Sequence, residues 1–177
     1  MKINVIHRSI IFFCLSCLSS AAPGEEYRVG ISFSHESLDD GSASGIAIYS
    51  ENFNVLYAGF TLNQVTTPAL VTYRDTETIT PLFFFISVKA PWRLAPYIEG
   101  GLDFIELVVD DATKSDEEQS ADDIDYYYAG GITYSINDHF AVSFYAKKYV
   151  FLYPDALNTY QIKTSPSGYG AGISILF

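Results

Sequence analysis

The sequence predicts an all-β fold, an eight-stranded antiparallel up-and-down transmembrane barrel with short turns at one end and longer loops at the other. Eight segments alternate apolar with small or polar side chains, as strands do when their two faces meet different surroundings. Outside the N-terminal segment, no apolar run reaches the roughly 20 residues that a spanning helix needs. The uncharged strand over residues 169–177 would be an aggregation-prone edge in water, whereas a barrel closed within lipid has no free edge.

The first four predicted strands form half of the wall. Their expected extents are residues 27–38, 44–50, 55–63 and 78–89. The facing of the second strand is ambiguous, and we expect Ile46 and Ile48 to point outward. Residues 51–54 are expected to form a turn. Pro81 removes a backbone donor from the fourth strand, which is tolerated near a rim or a bulge.

The other four strands complete the wall. Their expected extents are residues 95–109, 126–136, 140–151 and 169–177. Asn137 and Asp138 predict a tight turn before the seventh strand. Trp92 lies in the turn before the fifth strand, where it would suit a membrane interface. The last strand is expected to pair with the first and so to close the barrel.

The N-terminus has the three parts of a secretory signal peptide. A basic start precedes an apolar run over residues 10–18 and small residues at 19–22. Cleavage is expected after Ala21 or Ala22, and an uncleaved anchor is the alternative. The predicted organisation is a cleaved signal peptide over residues 1–22 and an outer-membrane β-barrel over residues 23–177.

The connections between the predicted strands indicate an orientation. Those after strands two, four and six are short, and those after strands one, three, five and seven are longer and polar. Bacterial outer-membrane barrels have short periplasmic turns and long outer loops, so both ends of the wall are expected on the periplasmic side. A soluble lipocalin-like barrel is the alternative. The face opposite the apolar one is rich in Gly, Ser and Ala, which is too small and sparsely charged for a solvated exterior.

Composition excludes several classes of function. The chain has a net charge of −11 and no cluster of basic residues, which argues against nucleic acid as a partner. Both cysteines, Cys14 and Cys17, lie in the predicted signal peptide, so the barrel has no disulfide or thiolate chemistry. We predict no cofactor and no metal.

Three segments resemble the small eight-stranded bacterial outer-membrane β-barrel superfamily, which includes OmpA-type, OmpX-type and opacity-type barrels and putative porins of the YfaZ type. They are residues 96–102, 129–142 and 170–177. The resemblance implies an outer-membrane location and contact with membrane lipid and lipopolysaccharide. It also implies that the barrel-assembly machinery reads the terminal aromatic strand, through Tyr169, Ile173, Ile175 and Phe177.

We expect a non-enzymatic envelope protein, either structural or a very narrow pore. Alternation places five charged side chains inside the barrel. They are Arg28, Lys89, Glu99, Asp103 and Lys147. Such charges must pair, because an eight-stranded wall leaves an interior only wide enough for side chains. The network is either a gate or a static plug, and the narrow lumen favours the plug.

An acidic segment over residues 110–125 is expected to project from the cell. Its carboxylates suit hard divalent cations, which would bridge to lipopolysaccharide phosphates. It lacks the spacing of a calcium loop, and a block of like charge is usually solvated and mobile. Adhesion or ligand binding through the outer loops is an alternative function.

His35 and Ser37 share the lipid-side face of the first strand near the outer rim. The pair is similar in placement to the dyad of lipid A deacylases of the PagL type, where a serine attacks a lipid ester. Glu36 points the other way, and no outward orienting acid is apparent. A lipid A-modifying enzyme is therefore an alternative, and the prediction is that the protein is not an enzyme.

Aromatic residues cluster near the predicted strand ends and indicate a membrane-interface girdle. They are Tyr126, Tyr128, Tyr134, Phe140, Tyr149, Phe151, Tyr153 and Tyr169. A stacking platform for bases or sugars is the alternative. His139 is expected to be an ordinary interface residue.

Overall fold

The computed structural model describes residues 28–52, 55–70, 78–105, 124–153 and 162–177. The strands are β1 (Arg28–Leu38), β2 (Gly41–Asn52), β3 (Leu56–Thr66), β4 (Thr78–Ile79), β5 (Leu82–Lys89), β6 (Leu94–Asp103), β7 (Tyr126–Ser135), β8 (Phe140–Tyr153), β9 (Ile162–Thr164) and β10 (Ser167–Leu176). One short 3₁₀ helix covers Pro68–Leu70. Among the described residues, no helix is long and apolar enough to span a membrane.

These strands form a closed antiparallel barrel with eight strands in its wall, which confirms the predicted fold. β4 and β5 both pair with β3 and form one interrupted wall strand. β9 and β10 both pair with β8 and form another. β10 also pairs with β1, as predicted, and this contact closes the wall.

The hydrogen-bonded rows of the wall climb as they pass around the barrel. A row that starts at Arg28 and follows paired residues returns to β1 at Leu38, ten residues further along. Between them the row passes through Glu51, Tyr57, Ser87, Glu99, Ala129, Lys147 and Gly168. Closing a barrel with such a stagger tilts the strands by about 35–45° from its axis. The tilt brings residues distant in sequence to similar levels of the lumen.

The exterior of the wall is apolar, and the interior is packed. Ile46 and Ile48 are 52% and 59% exposed, which confirms the outward facing expected for β2. The exposed outward residues include Val29, Phe33, Ile46, Ile48, Leu62, Ile86, Val88, Ile98, Leu102, Ile132, Phe140, Phe144 and Ile173. We call the end that holds Arg28 and Phe177 the terminal rim, and the opposite end the loop rim.

The prediction of a long connection after the first strand is wrong. β1 and β2 are joined by a two-residue turn, Asp39 and Asp40, and β1 pairs with β2 along its full length. The small residues that follow this turn have low strand propensity, but pairing with β1 holds them in the sheet. β2 also extends through Glu51 and Asn52, which had been expected to lie in a turn.

Two further boundaries differ from the prediction. The fourth predicted strand is broken at Thr80 and Pro81, where proline lacks a donor and its carbonyl oxygen instead accepts the N–H of Asn63 at 3.1 Å. The fifth, expected to reach residue 109, ends at Asp103. The predicted signal peptide and residues 110–123 of the acidic segment lie outside the described residues.

Candidate functional site: the barrel lumen

The structure places all five predicted lumen charges on the inward face of the wall. The predicted charge network omits two further inward carboxylates, Glu36 in β1, whose facing away from the lipid side was expected, and Glu51 in β2, which was expected in a turn. Both are almost fully buried, at 1% and 3% exposure. Asp103 lies at the loop end of β6, and its Oδ1 accepts the N–H of Ile105 at 2.8 Å.

A group that we call the loop-side cluster surrounds Glu36. The Oε1 atom of Glu36 accepts hydrogen bonds from Lys147 Nζ at 3.3 Å and from the Tyr145 hydroxyl at 3.0 Å. Its Oε2 accepts the Tyr149 hydroxyl at 2.8 Å. Both oxygens of this buried carboxylate are therefore satisfied, as a charge in low dielectric requires.

Lys147 joins this cluster to Glu99. Its ammonium lies 4.0 Å from the ring centroid of Tyr127, whose hydroxyl donates to Glu99 Oε1 at 2.8 Å. Cation–π contacts of this kind stabilise a partly desolvated cation. The loop-side cluster therefore consists of Glu36, Glu99 and Lys147 with the tyrosines that bind them.

An aromatic layer crosses the lumen beside this cluster. Phe83, Tyr127, Tyr149 and Phe151 are all at most 1% exposed. The Phe83 and Tyr127 centroids are 4.9 Å apart, those of Tyr127 and Tyr149 are 6.0 Å apart, and those of Tyr149 and Phe151 are 5.7 Å apart. At these separations rings pack in contact, so the layer fills the lumen across several wall strands.

The aromatic layer corrects the girdle prediction. Tyr149 and Phe151 do not face the exterior, because β8 presents Phe140 and Phe144 outward and alternation turns odd-numbered residues inward. Tyr128, Tyr134 and Tyr169 are exposed, in agreement with a girdle.

A second charged group, the rim-side cluster, lies nearer the terminal rim. Glu51 Oε1 accepts the Tyr57 hydroxyl at 2.6 Å and lies 3.9 Å from Lys89 Nζ. The Lys89 ammonium is also 4.6 Å from the Tyr57 ring centroid. Arg28 donates from Nη1 to the backbone oxygen of Asp138 at 3.2 Å, which ties β1 to the turn before β8.

Between the two clusters is a cavity of about 120 Å³, which we call the lumen chamber. Glu99, Lys89 and Lys147 line it, together with Tyr49, Tyr57, Tyr97 and Tyr145. Seven small hydroxyl residues complete the polar lining: Ser32, Ser34, Thr61, Ser87, Thr133, Ser143 and Ser174. The volume is large enough for several waters, since one water needs roughly 10–15 Å³ of such volume.

On the exterior, His35 does not pair with Ser37. Its Nδ1 lies 2.9 Å from the hydroxyl oxygen of Ser44, the residue opposite it on β2. Within the described residues the His35 ring makes this one hydrogen bond, and Glu36 is turned into the lumen. The base-plus-orienter arrangement of a serine hydrolase is therefore not assembled among these residues.

The terminal rim carries aromatic and basic side chains. Trp92 is exposed, and the guanidinium of Arg93 lies 5.3 Å from the Tyr134 ring centroid. Arg93 also donates to the carbonyl oxygens of Ser135 and Ile136, at 3.0 and 3.1 Å. His139 Nδ1 lies 3.1 Å from the Leu176 carbonyl oxygen.

Comparison with known proteins agrees with this architecture. The barrel is similar to a solved structure of the N-terminal β-barrel domain of Pseudomonas aeruginosa OprF, with a TM-score of 0.55 and 12% sequence identity, over 86% of this chain and 99% of that one. A structure from the de novo design of transmembrane β-barrels aligns with a TM-score of 0.48 and 12% identity, over 89% and 98% of the two chains. No protein-family model and no curated protein matches the sequence. At 12% identity, the likeness to the OprF domain shows the β-barrel fold, and it singles out none of the superfamily members named above.

Proposed function

We propose that this protein is an outer-membrane barrel with a structural role in the envelope and a lumen through which solutes do not pass. The observation that carries the proposal is the aromatic layer of Phe83, Tyr127, Tyr149 and Phe151 across the lumen. The apolar exterior supports the membrane location, because such a band is normally covered by lipid. The narrow-pore alternative requires a continuous aqueous path, and the packed rings of the layer are the argument against it.

Planar-bilayer recording tests the closed lumen. We expect the refolded wild-type protein to give no conductance steps. A variant with Phe83→Ala and Tyr149→Ala is expected to conduct, because it removes two rings of the layer. Phe144→Ala, at an exposed aromatic residue on the outward face of the same strand as Tyr149, is the matched control and should stay silent. Reproducible steps from the wild type would refute closure, and a silent double variant would show that the layer is not what closes the lumen.

We propose that the protein is not an enzyme. The support is that His35 engages Ser44 rather than an acid-oriented nucleophile on the exterior of the barrel. The charged groups of the lumen bind one another and the tyrosines around them, as a static plug would.

We further propose that the barrel-assembly machinery recognises Phe177. Its N–H donates to the Val29 carbonyl oxygen at 2.9 Å, and its side chain is exposed at the terminal rim. The Phe177→Ala variant is expected to reach the membrane in severalfold lower yield, with an unchanged free energy of unfolding once folded. Phe140→Ala is the matched control, since Phe140 is an outward aromatic residue at the same rim, opposite Ile175. Equal loss of yield in both variants would indicate a general effect of aromatic anchoring instead.

A further inference from the structure

The two charged clusters give the two ends of the lumen chamber opposite net charges. The loop-side cluster has two carboxylates, Glu36 and Glu99, around one ammonium, Lys147. The rim-side cluster has one carboxylate, Glu51, and the cations Lys89 and Arg28 on the same inner wall. The chamber between them is therefore bounded by net negative charge towards the loop rim and net positive charge towards the terminal rim.

Glu99 and Lys89 carry opposite charges and are neighbours on the chamber wall, yet they do not form an ion pair. Glu99 is opposite Ser87, and Lys89 is opposite Tyr97, so Glu99 and Lys89 are diagonal neighbours with backbones about 7–8 Å apart. Each turns away from the other, Glu99 to Tyr127 and Lys89 to Glu51. Both line the chamber, which lies between them.

Lys89 and Glu99 also keep hydrogen-bonding capacity towards that space. The 3.9 Å separation of Lys89 and Glu51 is an ion pair beyond hydrogen-bond length, and no described residue accepts a hydrogen bond from the Lys89 ammonium. Among the described residues, Glu99 accepts one hydrogen bond, on Oε1, and a carboxylate can accept several. Partial burial of a charged group that lacks hydrogen-bond partners costs free energy, unless a molecule in the chamber supplies those partners.

We propose that the lumen chamber binds a small zwitterion, with its ammonium end towards Glu99 and its anionic end towards Lys89. A lone anion would face Glu99, and a lone cation would face Lys89 and Lys147, whereas a dipolar molecule satisfies both kinds of charge. The serine and threonine hydroxyls that line the chamber donate or accept as the ligand requires. The ligand enters from the terminal rim, because the aromatic layer lies on the other side. This site goes beyond the structural role proposed above and does not depend on it.

The test is titration of the folded full chain in detergent micelles, followed by NMR of the backbone amides, with 3-aminopropanoate as the probe. We expect saturable shifts at residues of the chamber wall such as Ser87 and Glu99. Propylamine, propanoate and propanamide are close to 3-aminopropanoate in size but carry only one charge or none. They should bind severalfold more weakly than 3-aminopropanoate. Non-saturable shifts, or equal binding of propanamide, would overturn the proposal and leave a chamber filled only with water.

Variants locate the binding. Ser143→Leu fills the chamber and should abolish the shifts, and Phe144→Leu, on the outward face of the same strand, should preserve them. Lys89→Gln removes the cationic end and should weaken 3-aminopropanoate severalfold, whereas propylamine, which has no anionic end, should bind as tightly as before or more tightly. Heat-modifiable electrophoretic mobility confirms that each variant is folded, and Ser174→Val replaces Ser143→Leu if the latter does not fold. Unchanged binding of 3-aminopropanoate to the folded chamber-filling variant or to the Lys89→Gln variant would refute the site.

Discussion

Replacing Glu36 with alanine is expected to lower the free energy of unfolding by about 3–5 kcal/mol, because it strands a buried charge. The carboxylate accepts hydrogen bonds from Lys147, Tyr145 and Tyr149, and its side chain is 1% exposed. Without it, the Lys147 ammonium keeps its burial and loses its ion pair. Urea unfolding in lipid vesicles, followed by the fluorescence of Trp92, the one tryptophan of the chain, measures the change.

A double-mutant cycle separates the ion pair from general damage. Lys147→Met alone should also destabilise the barrel, since it leaves Glu36 without its cation. Glu36→Leu combined with Lys147→Met should recover much of the loss, because well-packed apolar residues often replace a buried ion pair at little cost. Additive losses in the double variant, or a loss below about 1 kcal/mol for Glu36→Ala, would contradict a coupled buried pair.

The loop-side cluster explains how a narrow lumen can contain charged groups and still be blocked by apolar rings. Glu36 holds the hydroxyl of Tyr149, and Glu99 holds that of Tyr127, so the two rings of the aromatic layer are fixed at their polar ends. Lys147 lies against the faces of both rings, 4.0 and 4.9 Å from their centroids. The charges therefore position the apolar layer, and loss of the charge network is expected to loosen the closure as well as the fold.

The alternation of side chains in the sequence predicts which face of the wall each residue occupies, and most residues of the wall have the predicted facing. It places Lys147, Glu99 and Lys89 inward because a strand has a strict period of two. The same rule turns Glu36, Tyr149 and Phe151 inward, so the sequence already contained the signal for the plug. Tyr149 and Phe151 were assigned to the exterior because aromatic residues near strand ends are typical of a girdle.

Partners across the lumen could not be predicted, because they depend on the stagger of the whole wall. Glu36 and Lys147 are 111 positions apart and meet only once β10 lies between their strands in register. Glu51 was missed for a local reason, since its neighbours Asn52 and Asn54 are residues typical of turns. His35 met Ser44 rather than Ser37 because the tight Asp39–Asp40 turn sets β2 directly opposite β1.

Two adjacent glycines of β6 are expected to respond in opposite ways to the same substitution. Gly101 faces the lumen, where an added Cβ would lie 2.8 Å from Cζ of Tyr127 and closer still to Cε1. Tyr127 has no room to move, because it packs on Phe83 and is hydrogen-bonded to Glu99. Gly101→Val should therefore destabilise the barrel by about 2–4 kcal/mol through overpacking and loss of the Tyr127–Glu99 bond.

Gly100 is the matched control, since it faces outward and an added Cβ would lie 3.9 Å from the Tyr127 carbonyl oxygen, an ordinary van der Waals contact. Gly100→Val should change the free energy of unfolding by no more than about 0.5 kcal/mol, or raise it, because valine suits a strand better than glycine. The measurement is urea unfolding of both variants in the same lipid. Equal losses would mean that valine is rejected by this strand as a whole, whereas a loss confined to Gly101→Val would show that the lumen is packed against Tyr127 tightly enough to exclude a single side chain.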